Sequence, residues 1–142
     1  MRIFLDANVL FSAAKSDGAV RQLVSLLLRA RHQCCVDSYV IEEARRNLLA
    51  KAPDGVSVLD TLLTRLYVAA VQPQRADIES LASLPQTDRP VLAAAIRLGC
   101  EALVTGDRTH FGFAYGKKLG GVTIHSPRSI AEALLEKRLQ DG

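Results

Sequence analysis

Two aspartates stand directly after short apolar segments at distant points of the chain. Asp6 follows the residues RIFL, and Asp107 follows the residues ALVTG. Apolar runs of this length are typical of buried strands. In an open α/β sheet, ligands bind at the carboxyl ends of the strands. If both segments are parallel strands of one sheet, the two carboxylates lie at its ligand-binding edge.

Two further acids are candidates for the same edge, and each stands near the start of a helical pattern. In the helix predicted after residue 38, Glu43 flanks the apolar stripe, whereas Glu42 points further out, so we choose Glu43. That stripe is formed by Val40, Ile41, Ala44 and Leu48. Asp88 opens an alanine-rich helix that leads back to the strand before Asp107. Four carboxylates could then converge.

A cluster of four carboxylates requires a positive partner, because like charges at short range push each other towards protonation. Oxygen ligands suit the hard cations Mg²⁺ and Mn²⁺. Zinc is disfavoured, since the sequence offers no His or Cys pair at ligand spacing. Asn8, Ser12 and Thr105 are expected to orient a carboxylate or a bound water.

Each acid also has an ordinary structural interpretation. Asp6 alone would be a turn or cap residue, and Asp107 alone would belong to a Gly-Asp turn. Asp88 would be an acid favoured by the helix dipole, and Glu43 would lie on a solvated helix face. Only their coincidence at one sheet edge favours the metal site, and that coincidence depends on the topology.

Strands alternate with helices along the sequence, which predicts a parallel sheet covered on both faces. The fold class is therefore α/β, a three-layer α/β/α sandwich with a central parallel sheet of four to five strands. Strands are predicted at residues 2–5, 33–37, 101–105 and 122–124. Residues 67–71 could extend the preceding helix or form a short strand, and we favour the strand. Helices are predicted from Gly18, from the N-cap Ser38, from Ser57 to about Arg65, near 75–83, after Asp88 and after Pro127.

Length and composition are those of one globular domain over residues 1–142. No apolar stretch approaches the roughly 20 residues that span a bilayer, and no export signal is visible, so a cytoplasmic location is expected. The three cysteines are an odd number and include the adjacent pair Cys34 and Cys35. Packing suits them better than disulfides or a metal site.

Four segments resemble the acidic motifs of PIN-domain nucleases, in order and at comparable spacing. They are FLDANVL, SYVIEEARRNLL, TDRPVLAAAIRLG and EALVTGDRTHF, and the likeness continues through GGVTIHSP. The resemblance implies that Asp6, Glu43, Asp88 and Asp107 are the catalytic metal-binding acids. One departure is Arg89-Pro90 after Asp88, where small residues are more usual. A chain of this size resembles the VapC-type toxins of toxin–antitoxin pairs, which implies Mg²⁺- or Mn²⁺-dependent RNA cleavage, an antitoxin partner and a homodimer.

The remaining charge suits a polyanionic substrate. With the four candidate acids set aside, the other 11 acidic residues are outnumbered by 18 lysines and arginines. Attack by a metal-activated water would leave 5′-phosphate and 3′-hydroxyl ends. His110 could touch a phosphate or pack beside Phe111. The phosphate contacts we predict are Arg45, Arg46, Arg108, Lys117 and Lys118.

Two other functions compete with RNA cleavage. A catalytically inactive PIN-like module could bind RNA or a protein without cutting, although it would have no need to retain four mutually repelling acids. A phosphotransfer enzyme is also α/β with acids at strand ends, but Asn8 stands where a haloacid-type phosphatase requires a second aspartate. Leu26, Leu27 and Leu28 are consecutive, so they cannot all lie on the buried face of one helix. We therefore expect a partner surface there.

Overall fold

A computed structural model describes residues 1–70 and 89–141 of the chain. Its six strands are β1 (Arg2–Leu5), β2 (Gln33–Asp37), β3 (Tyr67–Ala69), β4 (Ala102–Val104), β5 (Lys118–Leu119) and β6 (Val122–His125). Its seven α-helices within those ranges are α1 (Ala7–Lys15), α2 (Ala19–Arg29), α3 (Ser38–Lys51), α4 (Gly55–Leu63), α5 (Arg89–Arg97), α6 (Arg108–Phe111) and α7 (Pro127–Asp141). A short 3₁₀-helix follows α6 at Gly112–Ala114.

The strands form one sheet in the order β3-β2-β1-β4-β6-β5. Five of them are parallel, and only β5 runs antiparallel to its neighbour β6. The α/β fold with a central parallel sheet is therefore confirmed. Because β1 lies between β2 and β4, the segments that follow these three strands lie side by side at the carboxyl edge.

The core lies on the sheet and beneath its helices. Ile3, Phe4 and Leu5 of β1 are fully buried, as are the apolar residues of the neighbouring strands. Burial of the whole strand explains why it reads as a continuous apolar run rather than an alternating one. All three cysteines are buried free thiols, as expected from packing, and burial raises the pKa of Cys34 to about 12.

The main differences from the sequence prediction occur at short elements. Helix α1 was not predicted, although Val9, Leu10, Ala13 and Ala14 of that segment are buried at helical spacing. Strand β5 was also missed, because two residues carry no periodic signal. The helix predicted near 75–83 lies outside the described residues.

The N-cap of α3 was placed one residue too late. Asp37, not Ser38, caps this helix, and its Oδ1 accepts a hydrogen bond of 3.1 Å from the backbone N–H of Val40. Burial raises the pKa of Asp37 above its usual value, while the Val40 hydrogen bond and the positive charge of Arg97 oppose the shift. Asp37 is thus a buried carboxylate with a clear capping role.

The boundaries of α5 and α7 follow sequence signals. Gly99, just beyond α5, has a φ of +66°, and the backbone N–H of Cys100 bonds to the carbonyl of Ala95. This is the left-handed ending that favours glycine. Pro127 is the first residue of α7, a position where its fixed φ and missing N–H cost little. No helix in the described part of the chain has the length and apolarity needed to cross a membrane.

Candidate functional site

A cleft of about 530 Å³, in which most of the lining residues have polar side chains, opens at the carboxyl edge of the sheet. Three of the four predicted acids line it, namely Asp6, Glu43 and Asp107. The other described residues of its wall are Ala7, Asn8, Phe11, Asn47, Lys51, Val91 and His110. Asp88 lies outside the described residues. The cleft therefore brings together acids from three separate segments of the sequence.

Asp6 connects β1 to α1 and is only 5% exposed. Its Oδ1 accepts a hydrogen bond of 2.7 Å from the backbone N–H of Ala7 at the start of α1. Its Oδ2 accepts a hydrogen bond of 2.8 Å from the hydroxyl of Thr105. Both oxygens of Asp6 therefore have hydrogen-bond donors, so the contact that caps α1 and the contact with Thr105 together fix the direction of the carboxylate at the cleft.

Thr105 links the two strand-end aspartates. Its side chain is fully buried after β4, and its hydroxyl donates to Asp6 while accepting from the backbone N–H of Asp107 at 3.1 Å. A buried hydroxyl with partners on both sides is strongly constrained. Thr105 thereby fixes the spacing between the carboxylate of Asp6 and the backbone that carries Asp107.

Asn8 joins the same network from the first turn of α1. Its Oδ1 accepts a hydrogen bond of 2.7 Å from the backbone N–H of Gly106, and its Nδ2 lies 3.3 Å from the Thr105 hydroxyl and 3.4 Å from Asp6 Oδ2. A Cβ on Gly106 would lie 3.3 Å from Asn8 Oδ1, so glycine permits this close approach. Asn8 and Thr105 thus lie beside the carboxylate of Asp6, whereas Ser12 is not among the described residues that line the cleft. The supporting role expected of all three residues stays a prediction.

Asp107 caps α6 and contacts a histidine of the same short helix. Its Oδ1 accepts a hydrogen bond of 3.2 Å from the backbone N–H of His110, and its Oδ2 lies 2.6 Å from His110 Nδ1. His110 lines the cleft, and contact of this ring with a phosphate stays a prediction. The ring orients one carboxylate oxygen of Asp107.

Tyr115 adds a further hydrogen bond to the network around Thr105. Its phenol donates a hydrogen bond of 2.8 Å to the backbone carbonyl of Thr105. Burial raises the pKa of Tyr115, the positive charge of Arg108 opposes that shift, and the negative charges of Asp107 and Asp6 add to it. The phenol therefore stays protonated near neutral pH, which keeps this donor in place. The sequence analysis missed Tyr115, because nothing local links it to the strand-end acids.

Helix α3 supplies a second wall of the cleft. Glu43, Asn47 and Lys51 are spaced by four residues and all line the cleft, so they lie on one face of the helix. Glu42 points away and is exposed. The helical period that selected Glu43 over Glu42 could also have found Asn47 and Lys51, which the sequence analysis overlooked.

The ligand chemistry of the cleft fits a hard divalent cation, because its acidic groups are carboxylates on a polar wall. Within residues 1–70 and 89–141, however, no three acidic, histidine or cysteine side chains are close enough together to hold an ion. Carboxylates of the described residues thus face one cleft, but they do not by themselves form a complete set of metal ligands.

The five predicted phosphate contacts lie elsewhere, and none is among the described residues that line the cleft. Arg45 forms an ion pair of 3.0 Å with Asp60 of α4. Arg46 is exposed on α3, and Arg108 is exposed beside Asp107. Lys117 and Lys118 are exposed near the edge strand β5. Their contact with a substrate stays a prediction.

Comparison with known proteins adds a family and a fold. The family model described as PIN domain matches residues 2–109, a span that contains all four predicted acids. No curated protein matches this chain significantly.

Two similar solved structures contain VapBC proteins, and both are bound to DNA. VapBC2 from Rickettsia felis, bound to a DNA fragment from their promoter, has a TM-score of 0.61 at 15% identity. VapBC from Salmonella typhimurium has a TM-score of 0.63 at 16% identity. In each case the match covers 89% of this chain and 98% of the other. At such identities the likeness shows the fold alone.

Proposed function

Because this chain belongs to the PIN-domain family, we propose that it is a metal-dependent endoribonuclease whose active site is the cleft lined by Asp6, Glu43 and Asp107. The observation that carries the proposal is that these acids, from three separate segments, share one polar cleft. Asp37 provides the contrast, since it also ends a strand and caps a helix but does not line the cleft as described.

Asp6 and Asp107 are proposed as the principal metal ligands, with Glu43 and Asp88 as ligands directly or through water. A bound Mg²⁺ or Mn²⁺ would activate a water and neutralise charge that develops on the phosphate. The chain's own residues position that chemistry. Thr105 holds the carboxylate of Asp6 in a fixed direction, and His110 does the same for one oxygen of Asp107.

The substrate is proposed to be RNA held through its phosphate backbone. The excess of basic residues outside the candidate acids suits a polyanion. Aromatic residues make up only 5% of the chain and include no Trp, which disfavours an extended base-stacking platform. Recognition should therefore depend on backbone and shape rather than on many stacked bases.

The ends of the products test this mechanism. Attack by water requires no ribose 2′-hydroxyl, so cleaved RNA should carry 5′-phosphate and 3′-hydroxyl groups. The fragments should then accept ligation to an adaptor at the 5′ end without prior phosphorylation. Products that end in 2′,3′-cyclic phosphate would contradict hydrolysis by water and the proposed role of the carboxylates.

A toxin role with an antitoxin partner is proposed from the likeness to the two VapBC structures. A small protein encoded beside this chain should bind it and suppress RNA cleavage, and a co-purified neighbour that leaves cleavage unchanged would contradict this role.

A homodimer is proposed as well. Leu26 is 40% exposed on α2, whereas Leu27 of the same row is fully buried. A strictly monomeric mass at micromolar concentration would remove the dimer proposal.

The alternative function is a PIN-like module that binds RNA or protein without cutting. This alternative is favoured because, among the described residues, no three acidic, histidine or cysteine side chains lie close enough together to hold an ion. Thermal unfolding with and without Mn²⁺ separates the two functions, because an ion that binds only the folded state raises the melting temperature. A nuclease should show an Mn²⁺-dependent rise that disappears in Asp6→Asn, and the inactive module should show none.

A further inference from the structure

The cleft extends beyond its acids along α3 and becomes basic. Glu43, Asn47 and Lys51 line it at successive four-residue steps. With a rise of about 1.5 Å per residue, Lys51 lies roughly 12 Å along the helix axis from Glu43. The wall thus changes from a carboxylate to an amide and then to an ammonium group. A strand of RNA that leaves the acids along this wall would meet a cation next.

A second lysine joins Lys51 across an aromatic ring. Phe11 of α1 lines the same cleft, and its ring centroid lies 5.9 Å from the ammonium group of Lys51 and 5.7 Å from that of Lys15. Cation–π attraction operates at such distances. The half-buried ring of Phe11 therefore holds two positive charges beside the basic end of the cleft.

Two ammonium groups beside one ring concentrate positive charge at this end of the cleft, and such a concentration attracts an anion. Both lysines are exposed, and within the described residues neither ammonium group forms an ion pair with a carboxylate. We propose that Phe11, Lys15 and Lys51 form a binding site for a backbone phosphate of the RNA strand, next to the phosphate that is cut. This proposal, termed here the Phe11–lysine site, rests on the proposed nuclease function.

The two lysines also occupy the last turns of α1 and α3. Positive charge is favourable there because it complements the negative end of the helix dipole. A purely stabilising role would lower the melting temperature of a variant and leave RNA affinity unchanged. The Phe11–lysine site requires the opposite pattern, with altered affinity in a protein that unfolds normally.

RNA affinity in EDTA tests the site without any cleavage. We would measure fluorescence anisotropy of a labelled single-stranded RNA with wild-type protein and with the double variant Lys15→Gln/Lys51→Gln at several salt concentrations. The double variant should bind on the order of tenfold more weakly at low salt. Its plot of log K against log salt should be less steep by about 0.7, which is the contribution of one neutralised phosphate on a single strand.

Lys137→Gln/Arg138→Gln is the matched control, because it also removes two positive charges, at exposed positions on α7, and it should leave the salt slope unchanged. Lys117→Gln/Lys118→Gln removes two other predicted phosphate contacts near β5, so some loss of affinity in that variant is compatible with the Phe11–lysine site. An equal loss of RNA affinity in all three double variants, or a loss confined to Lys117→Gln/Lys118→Gln, would overturn the Phe11–lysine site. A wild-type protein that binds no RNA would overturn it as well. The nuclease function is judged separately, from the products formed with metal.

Phe11 is a positioning residue in this account, since its ring holds the lysines. Phe11→Leu keeps an apolar side chain, so it should weaken binding less than the double lysine variant and preserve the fold. Combined with Lys15→Gln/Lys51→Gln, it should cause no further loss, because residues that act through one another are not additive. A full additional loss in the triple variant would show that the ring contacts the RNA independently, and would contradict the positioning role.

Discussion

Replacement of Asp6 by asparagine is expected to lower RNA cleavage on the order of a hundredfold or more. Asparagine keeps the shape of the side chain and can still cap α1. It removes the negative charge and one of the two oxygens, so it is a poorer ligand for a divalent cation. Initial rates with Mn²⁺, measured beside thermal unfolding of the same sample, separate lost chemistry from lost structure.

Asp37→Asn is the matched control for Asp6→Asn. Asp37 also ends a strand, caps the next helix and is buried, with 3% of its surface exposed against 5% for Asp6. It does not line the cleft as described. Cleavage should stay near the wild-type rate in Asp37→Asn. Equal loss in both variants, or full activity in Asp6→Asn, would contradict the assignment of Asp6.

Replacement of Thr105 by valine is expected to have the second large effect. Valine has nearly the same shape but no hydroxyl, so Asp6 Oδ2 loses its 2.8 Å donor and the backbone N–H of Asp107 loses its acceptor. Losing these two hydrogen bonds in a buried position costs about 1–3 kcal/mol of unfolding free energy. Activity should also fall roughly 10- to 100-fold, as for other residues that orient metal ligands. Urea denaturation and initial rates provide the two measurements.

Thr105→Ser separates the hydroxyl from the rest of the side chain. Serine restores the donor and acceptor but loses a buried methyl group, which costs about 1 kcal/mol. Its cleavage rate should therefore be close to that of the wild type even though it is somewhat less stable. Similar rates for the serine and valine variants would show that the hydroxyl does not orient the carboxylates.

The central strands β1, β2 and β4 were predictable because they are buried on both faces and appear as continuous apolar runs. The bounds of β2, at Gln33–Asp37, agree with the prediction. Helix α1 was missed for a different reason, since the strand passes into it through the single residue Asp6 and leaves no loop to mark a boundary. At α3 the prediction assigned Asp37 to the strand and Ser38 to the cap, and the hydrogen bond to Val40 identifies Asp37 as the cap.

Site residues were predictable where one element fixes their direction. The position of Glu43 on α3 follows from the helical period, and the strand-end positions of Asp6 and Asp107 follow from the order of strands and helices. The contact of Lys51 with the ring of Phe11 joins two helices that are 40 residues apart in sequence, and the hydrogen bond from Tyr115 to Thr105 crosses the irregular segment after β4. No local pattern encodes such contacts. Asp88 stays a prediction, because it lies outside the described residues.

Chelation of the metal tests the central claim most directly. Purified protein would be incubated with mixed cellular RNA in Mn²⁺ or Mg²⁺, in EDTA, and in EDTA followed by excess Mn²⁺. The account predicts discrete fragments with metal, none in EDTA, and their return when Mn²⁺ is restored. Cleavage that continues undiminished in EDTA, or no cleavage with either ion, would contradict a metal-dependent ribonuclease in this cleft.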